Sequence, residues 1–195
     1  MIGRIGFILL RGYMKNYPQL MTARLLLRAH TLADAADIQR YAGDKAIAAT
    51  TLRIPHPYEE GMAEDWINSV QENFAQNKAV VFAIICKADQ QFIGAIGLEL
   101  ELEFDRAALG YYIGKPFWGN GYCTEAARAV LQYGFTELNL NRIYAEHFTH
   151  NPASGCIMRK LGMQHEGHLR KHIKKWGEYI DAEIYGILQE EFIVK

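Results

Sequence analysis

Two glycines stand between a predicted strand and a predicted helix, where main-chain amides can bind an anion. The strand is Leu109–Ile113, and the glycines are Gly119 and Gly121 in the segment WGNGYCT at 118–124. Glycine lets backbone N–H groups approach a phosphate closely, and the helix dipole places about half a positive charge behind them. The spacing therefore predicts a phosphate-binding turn that needs no lysine.

Two nucleotide-binding motifs resemble this turn but do not fit it. A dinucleotide-binding fold has a third glycine where Thr124 stands and an all-parallel sheet, although Glu146 is near the place of its ribose-binding acid. A P-loop fails because the segment 110–115 is one residue short and Pro116 stands where serine or threonine is required. The turn is therefore interpreted as a phosphate site of another kind.

The elements that position the turn alternate between hairpins and crossover helices. A capping box from Thr31 to Asp34 opens a short first helix, and a second helix follows Pro57. The long helix after Thr124 separates two strands, which predicts a parallel pair with a right-handed connection. Asn151, followed by a proline, is a suitable N-cap for the last helix. Strands are predicted at Arg24–Ala29, Val80–Cys86, Phe92–Glu103, Leu109–Ile113, Arg142–Phe148, Met163–Arg170 and Tyr179–Leu188.

Length and composition are those of one globular domain. The chain has 195 residues, is 50% hydrophobic and 22% charged, and carries a formal net charge of -1. No overall field therefore favours nucleic acid or an acidic membrane, and no segment approaches the length of a membrane span. The three cysteines suggest neither a disulfide framework nor a paired metal site, which favours a reducing cytoplasm. We expect a single domain over residues 22–195, preceded by an extension at residues 1–21.

Several short motifs, taken in order, resemble the GNAT superfamily of N-acetyltransferases, and within it the type that acetylates the N-termini of ribosomal proteins. The resemblance covers about residues 22 to 190, in the family's order and spacing. The motifs are TARLLLR at 22–28, GYYI at 110–113, WGNGYCTEA at 118–126, LNRI at 140–143, NPAS at 151–154, KLGM at 160–163 and EG at 166–167, with Asp181 in the last strand.

The resemblance implies an α/β (α+β) fold with a mixed, largely antiparallel sheet of six to seven strands and helices on both faces. The fourth and fifth strands would splay apart and hold the pantetheine arm of acetyl-CoA, with no metal. The pyrophosphate would bind the glycine turn, where Cys123 departs from the small residue that is usual at its position. The cofactor-binding residues implied are Tyr112, Ile113, Trp118, Gly119, Asn120, Gly121, Tyr122, Cys123, Thr124, Asn151 and Ser154.

Acetyl transfer also needs a proton donor for the departing thiolate and a polarised carbonyl. Many GNAT members use a tyrosine at the position of Met158, which has no proton to give. The ribosomal type instead uses a serine three residues after the asparagine, which here is Ser154, although a serine in a first helical turn is also common for local hydrogen bonding. The main-chain amide of Tyr112 or Ile113 is the expected carbonyl polariser.

A carboxylate is the expected proton acceptor for the amine. Glu99, Glu101 and Glu103 alternate with leucines, so all three are predicted on one face at the end of a strand, where a solvated rim is the alternative interpretation. Glu101 and then Glu99 are the first candidates for the base, and Glu146 and His147 are rivals of which only one can face the cleft. An N-terminal α-amine needs only a weak base, because its pKa is about 7.7–8.0 against about 10.4 for lysine.

Other reactive side chains receive structural interpretations. His165, His168 and His172 have the spacing of a metal-binding cluster, but on a strand and turn they should diverge. The cysteines have no evident base partner for an acyl-enzyme route. The basic run 170–175 is interpreted as a solvated hairpin, with contact to an acidic acceptor or to the 3′-phosphate of coenzyme A as alternatives.

The sequence therefore predicts an acetyl-CoA-dependent N-acetyltransferase that transfers acetyl directly to a primary amine, with a protein N-terminal α-amine as the first choice of acceptor. The same chemistry on a polyamine, amino acid or antibiotic is an alternative, and so is an acyl-CoA-binding regulatory domain without catalysis. Exposed strand edges would allow a homodimer. No nucleic-acid or membrane partner is expected.

Overall fold

The computed structural model describes residue 14 and residues 16–193 of the chain. No described helix combines the length and the apolar character that a membrane crossing requires. The helices are α1 (Ala35–Ala42), α2 (Lys45–Ala48), α3 (Met62–Ala75), α4 (Tyr122–Thr136) and α5 (Pro152–Lys160). The strands are β1 (Leu20–Met21), β2 (Leu25–Arg28), β3 (Ala79–Cys86), β4 (Phe92–Glu101), β5 (Arg106–Ile113), β6 (Arg142–Phe148), β7 (Gln164–Lys175) and β8 (Glu178–Leu188).

The described strands form one mixed sheet in the order β1-β2-β3-β4-β5-β6-β8-β7, in which β5 and β6 are parallel neighbours. Residues 106–108 of β5 pair with residues 142–144 of β6, and beyond them the two strands no longer pair. The predicted mixed sheet with a splay between these two strands is therefore confirmed. The sheet has eight strands rather than six to seven because the two-residue strand β1 pairs with β2.

The last part of the predicted N-terminal extension packs against the domain. Tyr17 stacks on Phe74 of α3 with ring centroids 4.2 Å apart, and the main-chain N–H of Val81 donates to its hydroxyl at 2.9 Å. Residues 1–13 of the extension lie outside the described residues. The division of the chain at residue 22 stays a prediction.

Apolar side chains on both faces of the sheet make two core layers. One layer packs β3 side chains such as Phe82 against α4 and α5, and the other packs Ile85 against Ile38 of α1 and Ile67 of α3. The predicted burial of Val80–Cys86 on both faces is confirmed in nearly every position. The sheet is thus held from both sides, which fixes the edges of the splay.

The carboxyl end of β4 differs from the prediction. The strand ends at Glu101, and a 3₁₀ turn over Leu102–Phe104 follows. Glu103 therefore does not continue the row of Glu99 and Glu101, and the prediction of three carboxylates on one strand face is wrong for this residue. The apolar Leu102 and Phe104 continue the alternating pattern through the turn, which is why the pattern extended the strand.

The final hairpin is longer than predicted. β7 continues to Lys175, and the turn that joins it to β8 consists of Trp176 and Gly177. Both turn residues have positive φ angles, 52° and 89°, as a two-residue hairpin turn with the right-handed twist of the strands requires. Most side chains of β7 are polar and exposed, so the apolar alternation that predicts strands is absent here.

Candidate active site

The glycine turn between β5 and α4 has the geometry of an anion site. Gly119 and Gly121 have φ angles of 80° and 78°, which residues with side chains rarely adopt. A side chain at Gly119 would meet no protein atom within 4 Å, so the space in front of the turn is open. Gly121 is the N-cap of α4 and provides no side-chain hydrogen bond to the first amides of the helix. Those amides can therefore bind a phosphate.

Arg24, directly before β2, places a positive charge beside the turn. Its Nη1 donates to the carbonyl oxygen of Asn120 at 3.0 Å, and its guanidinium carbon lies 4.6 Å from the ring centroid of Tyr122. Its Nε pairs with Oε2 of Glu125 at 2.7 Å, which ties it to the first turn of α4. The sequence analysis gave Arg24 no role, although the residue belongs to the first motif of the family resemblance.

Two predicted cofactor residues hold the turn against β5. The indole Nε1 of Trp118 donates to the carbonyl oxygen of Ile113 at 2.7 Å. The side-chain nitrogen of Asn120 donates to the carbonyl oxygens of Phe117 and Trp118 at 3.1 and 3.2 Å. These contacts fix the loop that carries the glycines. Three further predicted residues form the first turn of α4: Tyr122, Cys123 and Thr124.

The two amides predicted to polarise the carbonyl point in opposite directions. The N–H of Gly114 donates to the carbonyl oxygen of Ile93 at 2.8 Å, and hydrogen-bonded pairs alternate along an antiparallel ladder. The amide of Tyr112 therefore points at β4, where this residue is paired with Ala95. The amide of Ile113 points into the splay. Of the two, Ile113 is the residue whose amide can contact a ligand there.

A cavity of about 1300 Å³ joins the glycine turn, the splay and the groove beneath α3. Its lining includes Ser154 of α5, Glu99 of β4 and Trp66 of α3 as well as both glycines. The predicted cofactor residues and the predicted catalytic residues therefore share one cavity, except for Asn120 and Glu101, which do not line it.

Ser154 contacts a tyrosine that the sequence analysis did not single out. Its Oγ lies 2.7 Å from the hydroxyl oxygen of Tyr111 on β5, and both side chains line the cavity. Burial raises the pKa of Tyr111 above its ordinary value, so the phenol keeps its proton at neutral pH. Met158 is buried in α5, four residues beyond Ser154. A pair of hydroxyl groups therefore connects β5 to α5 on the wall of the cavity.

Asn151 lies at the N-cap position of α5, as predicted, but its side chain makes no capping hydrogen bond. The main-chain N–H of Asn151 donates to the carbonyl oxygen of Phe148 at 2.8 Å, and this bond holds the loop without the side chain. The prediction that Asn151 is the N-cap residue of this helix is confirmed. Asn151 also lines the cavity, and its side-chain amide is not used in capping the helix.

The candidate bases differ in their surroundings. Glu99 lines the cavity, is 53% exposed and pairs with Arg53, whose Nη2 donates to its Oε2 at 2.9 Å. Glu101 accepts hydrogen bonds at 2.7 Å from Nη2 of Arg106 and from the hydroxyl of Tyr144. These two bonds, and the one from Arg106 more than the one from Tyr144, lower the pKa of Glu101. A lower pKa makes Glu101 a weaker base. Both carboxylates pair with an arginine, and the cavity, which Glu99 lines and Glu101 does not, favours Glu99.

The rivals on β6 have different partners. Glu146 and His147 both line the cavity, although only one of them was expected to face it, and Oε2 of Glu146 lies 3.7 Å from Nε2 of His172. His147 is buried against α5, where a side chain at Gly155 would come within 2.6 Å of its Nε2. Nδ1 of His147 bonds to the carbonyl oxygen of Phe148 at 2.9 Å, and Nε2 has no partner among the described residues. Of the two alternative bases on β6, Glu146 therefore has an ionisable neighbour, whereas His147 is packed against α5.

The histidines of β7 are closer together than predicted. Nε2 of His165 and Nδ1 of His168 bond to the two carboxylate oxygens of Glu183 at 2.6 and 2.7 Å. A register shift between His165 and Gly167 places these two side chains on the same face, so the prediction that they diverge is wrong. Within the described residues, no group of three histidine, cysteine or acidic side chains is arranged to hold a metal ion.

The cysteine at the turn is a poor nucleophile. Burial raises the pKa of Cys123 to about 12, so the thiolate that an acyl-enzyme route requires is scarce. Cys156 of α5 is exposed, and its Sγ accepts a hydrogen bond from Nη2 of Arg159 at 3.0 Å. The burial of Cys123 supports direct transfer between two bound substrates.

Comparisons with known proteins agree with this geometry. The profile of the Acetyltransferase (GNAT) domain matches residues 24–164. The chain is 34% identical over 174 residues to an uncharacterized N-acetyltransferase, p20, of Bacillus licheniformis, and the match covers 89% of this chain and 97% of that protein. It is 25% identical over 177 residues to the ribosomal protein uS5-alanine N-acetyltransferase of Escherichia coli (strain K12), over 87% of this chain and 91% of that enzyme.

The fold has also been solved with a bound cosubstrate. The Microcin C7 self immunity acetyltransferase MccE, in complex with acetyl-CoA and AMP, matches with a TM-score of 0.77 and 19% identity, over 86% of this chain and 93% of that one. Together with the domain match, the fold and the site geometry define the class of protein. The chain belongs to the GNAT family and is an acetyltransferase.

Proposed function

We propose that this protein transfers the acetyl group of acetyl-CoA directly to the N-terminal α-amine of a polypeptide. The observation that carries the proposal is the single cavity that joins the uncapped N-terminus of α4 to Ser154 and Glu99. Arg24 adds a positive charge beside the turn, which fits a pyrophosphate. The likeness to a uS5-alanine N-acetyltransferase supports a protein N-terminus as the acceptor.

The exposed carboxylate of Glu99 suits an α-amine better than a lysine. An α-amine has a pKa of about 7.7–8.0, so its deprotonation near pH 7 costs about 1 kcal/mol, against several for lysine. Any carboxylate is a weak base, and Glu99 is half-exposed and pairs with Arg53. A weak base is sufficient for an amine that is already partly neutral.

Each of three residues in the cavity has its own role in the reaction. Acetyl-CoA supplies an activated thioester, whose C–S bond breaks as the amine nitrogen forms the new C–N bond. Glu99 accepts the proton that the amine loses. The amide of Ile113 donates to the carbonyl oxygen as it becomes negative. The hydroxyl of Ser154 donates a hydrogen bond to the departing sulfur, which takes up a proton from solvent after release.

The test is a panel of acceptors assayed by thiol release, with mass spectrometry to locate the acetyl group. Peptides with a free N-terminus should react, and the same peptides with a blocked N-terminus and an internal lysine should not. Glu99→Gln should lower kcat about 10- to 100-fold. Glu103→Gln removes an exposed carboxylate outside the cavity and should leave kcat unchanged. Equal rates with blocked and free peptides would contradict the proposal.

A small amine is the second candidate acceptor, because segment 51–54, which lines the cavity, is held in place by bonds to the final hairpin and to β4. Nζ of Lys175 on the final hairpin donates to the carbonyl oxygens of Thr51 and Ile54 at 2.6 and 3.1 Å. Arg53 in the same segment pairs with Glu99 of β4. Turnover with polyamines or amino acids but not with peptides would select this candidate. Tight acetyl-CoA binding without any turnover would favour a regulatory binding domain.

A further inference from the structure

The hydrogen bond between the hydroxyls of Ser154 and Tyr111 can run in either direction. Two atoms of Ser154 lie near the Tyr111 hydroxyl: Oγ at 2.7 Å and the main-chain carbonyl oxygen at 3.4 Å. If Ser154 donates, the phenol can donate in turn to that carbonyl oxygen, and no hydroxyl hydrogen of Ser154 is left for a ligand. If the phenol donates to Oγ, the hydrogen of Ser154 is free for another acceptor.

The position of Tyr111 on β5 makes this arrangement relevant to the cavity. Tyr111 precedes the splay-facing amide of Ile113 by two residues, and Ser154 lies in the first turn of α5 on the opposite side of the splay. Met158, which is fully buried, has no hydrogen to donate. Ser154 therefore places a hydroxyl group on the wall of the cavity, in hydrogen-bond contact with Tyr111.

We propose that Tyr111 is a positioning residue for the leaving group: its phenol donates to Oγ of Ser154 and thereby directs the Ser154 hydrogen at the sulfur of coenzyme A. This inference rests on the proposed function, since it requires the sulfur to lie in the splay. During transfer the C–S electron pair goes to sulfur, and Ser154 donates a hydrogen bond to the thiolate. Tyr111 keeps its own proton throughout, because its burial disfavours a phenolate.

One measurement tests this role without any acceptor. The thiol of bound coenzyme A is titrated by the ultraviolet absorbance of its thiolate, and a titration with a sulfur-free analogue is subtracted to remove the protein's own cysteines. A donor aimed at sulfur should hold the thiol pKa below that of free coenzyme A. Tyr111→Phe keeps the ring and should raise that pKa by about one unit. Tyr133→Phe removes a buried hydroxyl that donates to the sulfur of Met14 at 3.8 Å, and it should not change this pKa.

Kinetics with the best acceptor of the panel give the second readout. Tyr111→Phe should lower kcat about tenfold, with the KM for acetyl-CoA and the melting temperature unchanged. The double variant Tyr111→Phe, Ser154→Ala should be no slower than Ser154→Ala alone, because Tyr111 acts through Ser154. Additive losses, or identical thiol titrations of wild type and Tyr111→Phe, would overturn the inference. An inactive wild type that still lowers the thiol pKa would refute the proposed function and leave the role of Tyr111 supported.

Discussion

At the scale of single residues, the anion site depends on backbone conformation more than on side chains. Gly119 has a φ angle of 80° and open space in front of it. Both its backbone conformation and its surroundings therefore suit an anion site. Gly177 at the tip of the final hairpin has a φ angle of 89° and likewise has no neighbouring atom within 4 Å. The left-handed backbone would disfavour alanine equally at both positions, but only Gly119 lines the cavity.

Alanine at these two glycines should separate strain from binding. Gly119→Ala and Gly177→Ala should each lower the free energy of unfolding by about 1 kcal/mol, because a left-handed conformation is unfavourable for alanine. Only Gly119→Ala should weaken coenzyme A, by about tenfold or more, since its methyl group would stand where the phosphate approaches. Denaturant unfolding and titration calorimetry measure the two effects. Equal affinities in the two variants would show that the turn does not bind the pyrophosphate.

The glycine turn could be predicted from sequence because it is a local feature. Its strand, glycines and helix follow each other within the segment 109–136, and the spacing alone indicates an anion site. The contact between Tyr111 and Ser154 could not be predicted in this way, because it joins positions 43 residues apart. The same is true of Arg24 and Asn120, which are separated by 96 residues. Side-chain pairs of this kind depend on how the elements pack.

At the scale of elements, the final hairpin is bonded through Lys175 to a segment that lines the cavity. Lys175 is buried, and its Nζ donates to three carbonyl oxygens of the segment between α2 and α3, at 2.6, 3.3 and 3.1 Å. Desolvation lowers the pKa of Lys175. The neighbouring Lys174 instead lies over the ring of Tyr179. This arrangement could not be predicted from the polar composition of the hairpin, because a lysine in a polar run is normally solvated.

Replacing Lys175 should loosen the hairpin from this segment. Lys175→Met keeps the length of the side chain but removes all three hydrogen bonds, so the free energy of unfolding should fall by about 1–3 kcal/mol. The KM for the acceptor should rise several-fold, while the affinity for coenzyme A stays unchanged. Lys174→Met is the matched control on the adjacent residue and should alter neither quantity. If the two variants have the same acceptor KM, the hairpin does not form part of the acceptor site.

At the scale of the whole molecule, a buried histidine beneath α3 makes the stability of the protein depend on pH. His30 is only 1% exposed, its ring packs edge-on against Trp66 at 4.7 Å, and neither ring nitrogen has a hydrogen-bond partner among the described residues. Burial lowers the pKa of His30 from its ordinary value of 6.5 to about 4. The folded protein therefore keeps this side chain neutral where the unfolded chain would protonate it.

Stability should consequently fall in mild acid. The unfolded chain takes up a proton at His30 as the pH drops below about 6.5, and the folded protein does so only near pH 4. The contribution of His30 is thus fully present above pH 6.5 and is lost towards pH 4, a change of about 3 kcal/mol in the free energy of unfolding. Urea unfolding at several pH values should show a fall in the free energy of unfolding between pH 6.5 and pH 4 that is smaller in His30→Phe by this amount. His56→Gln, at an exposed position, should retain the wild-type fall. A His30→Phe profile parallel to that of the wild type would mean that His30 is not the group that makes the core sensitive to acid.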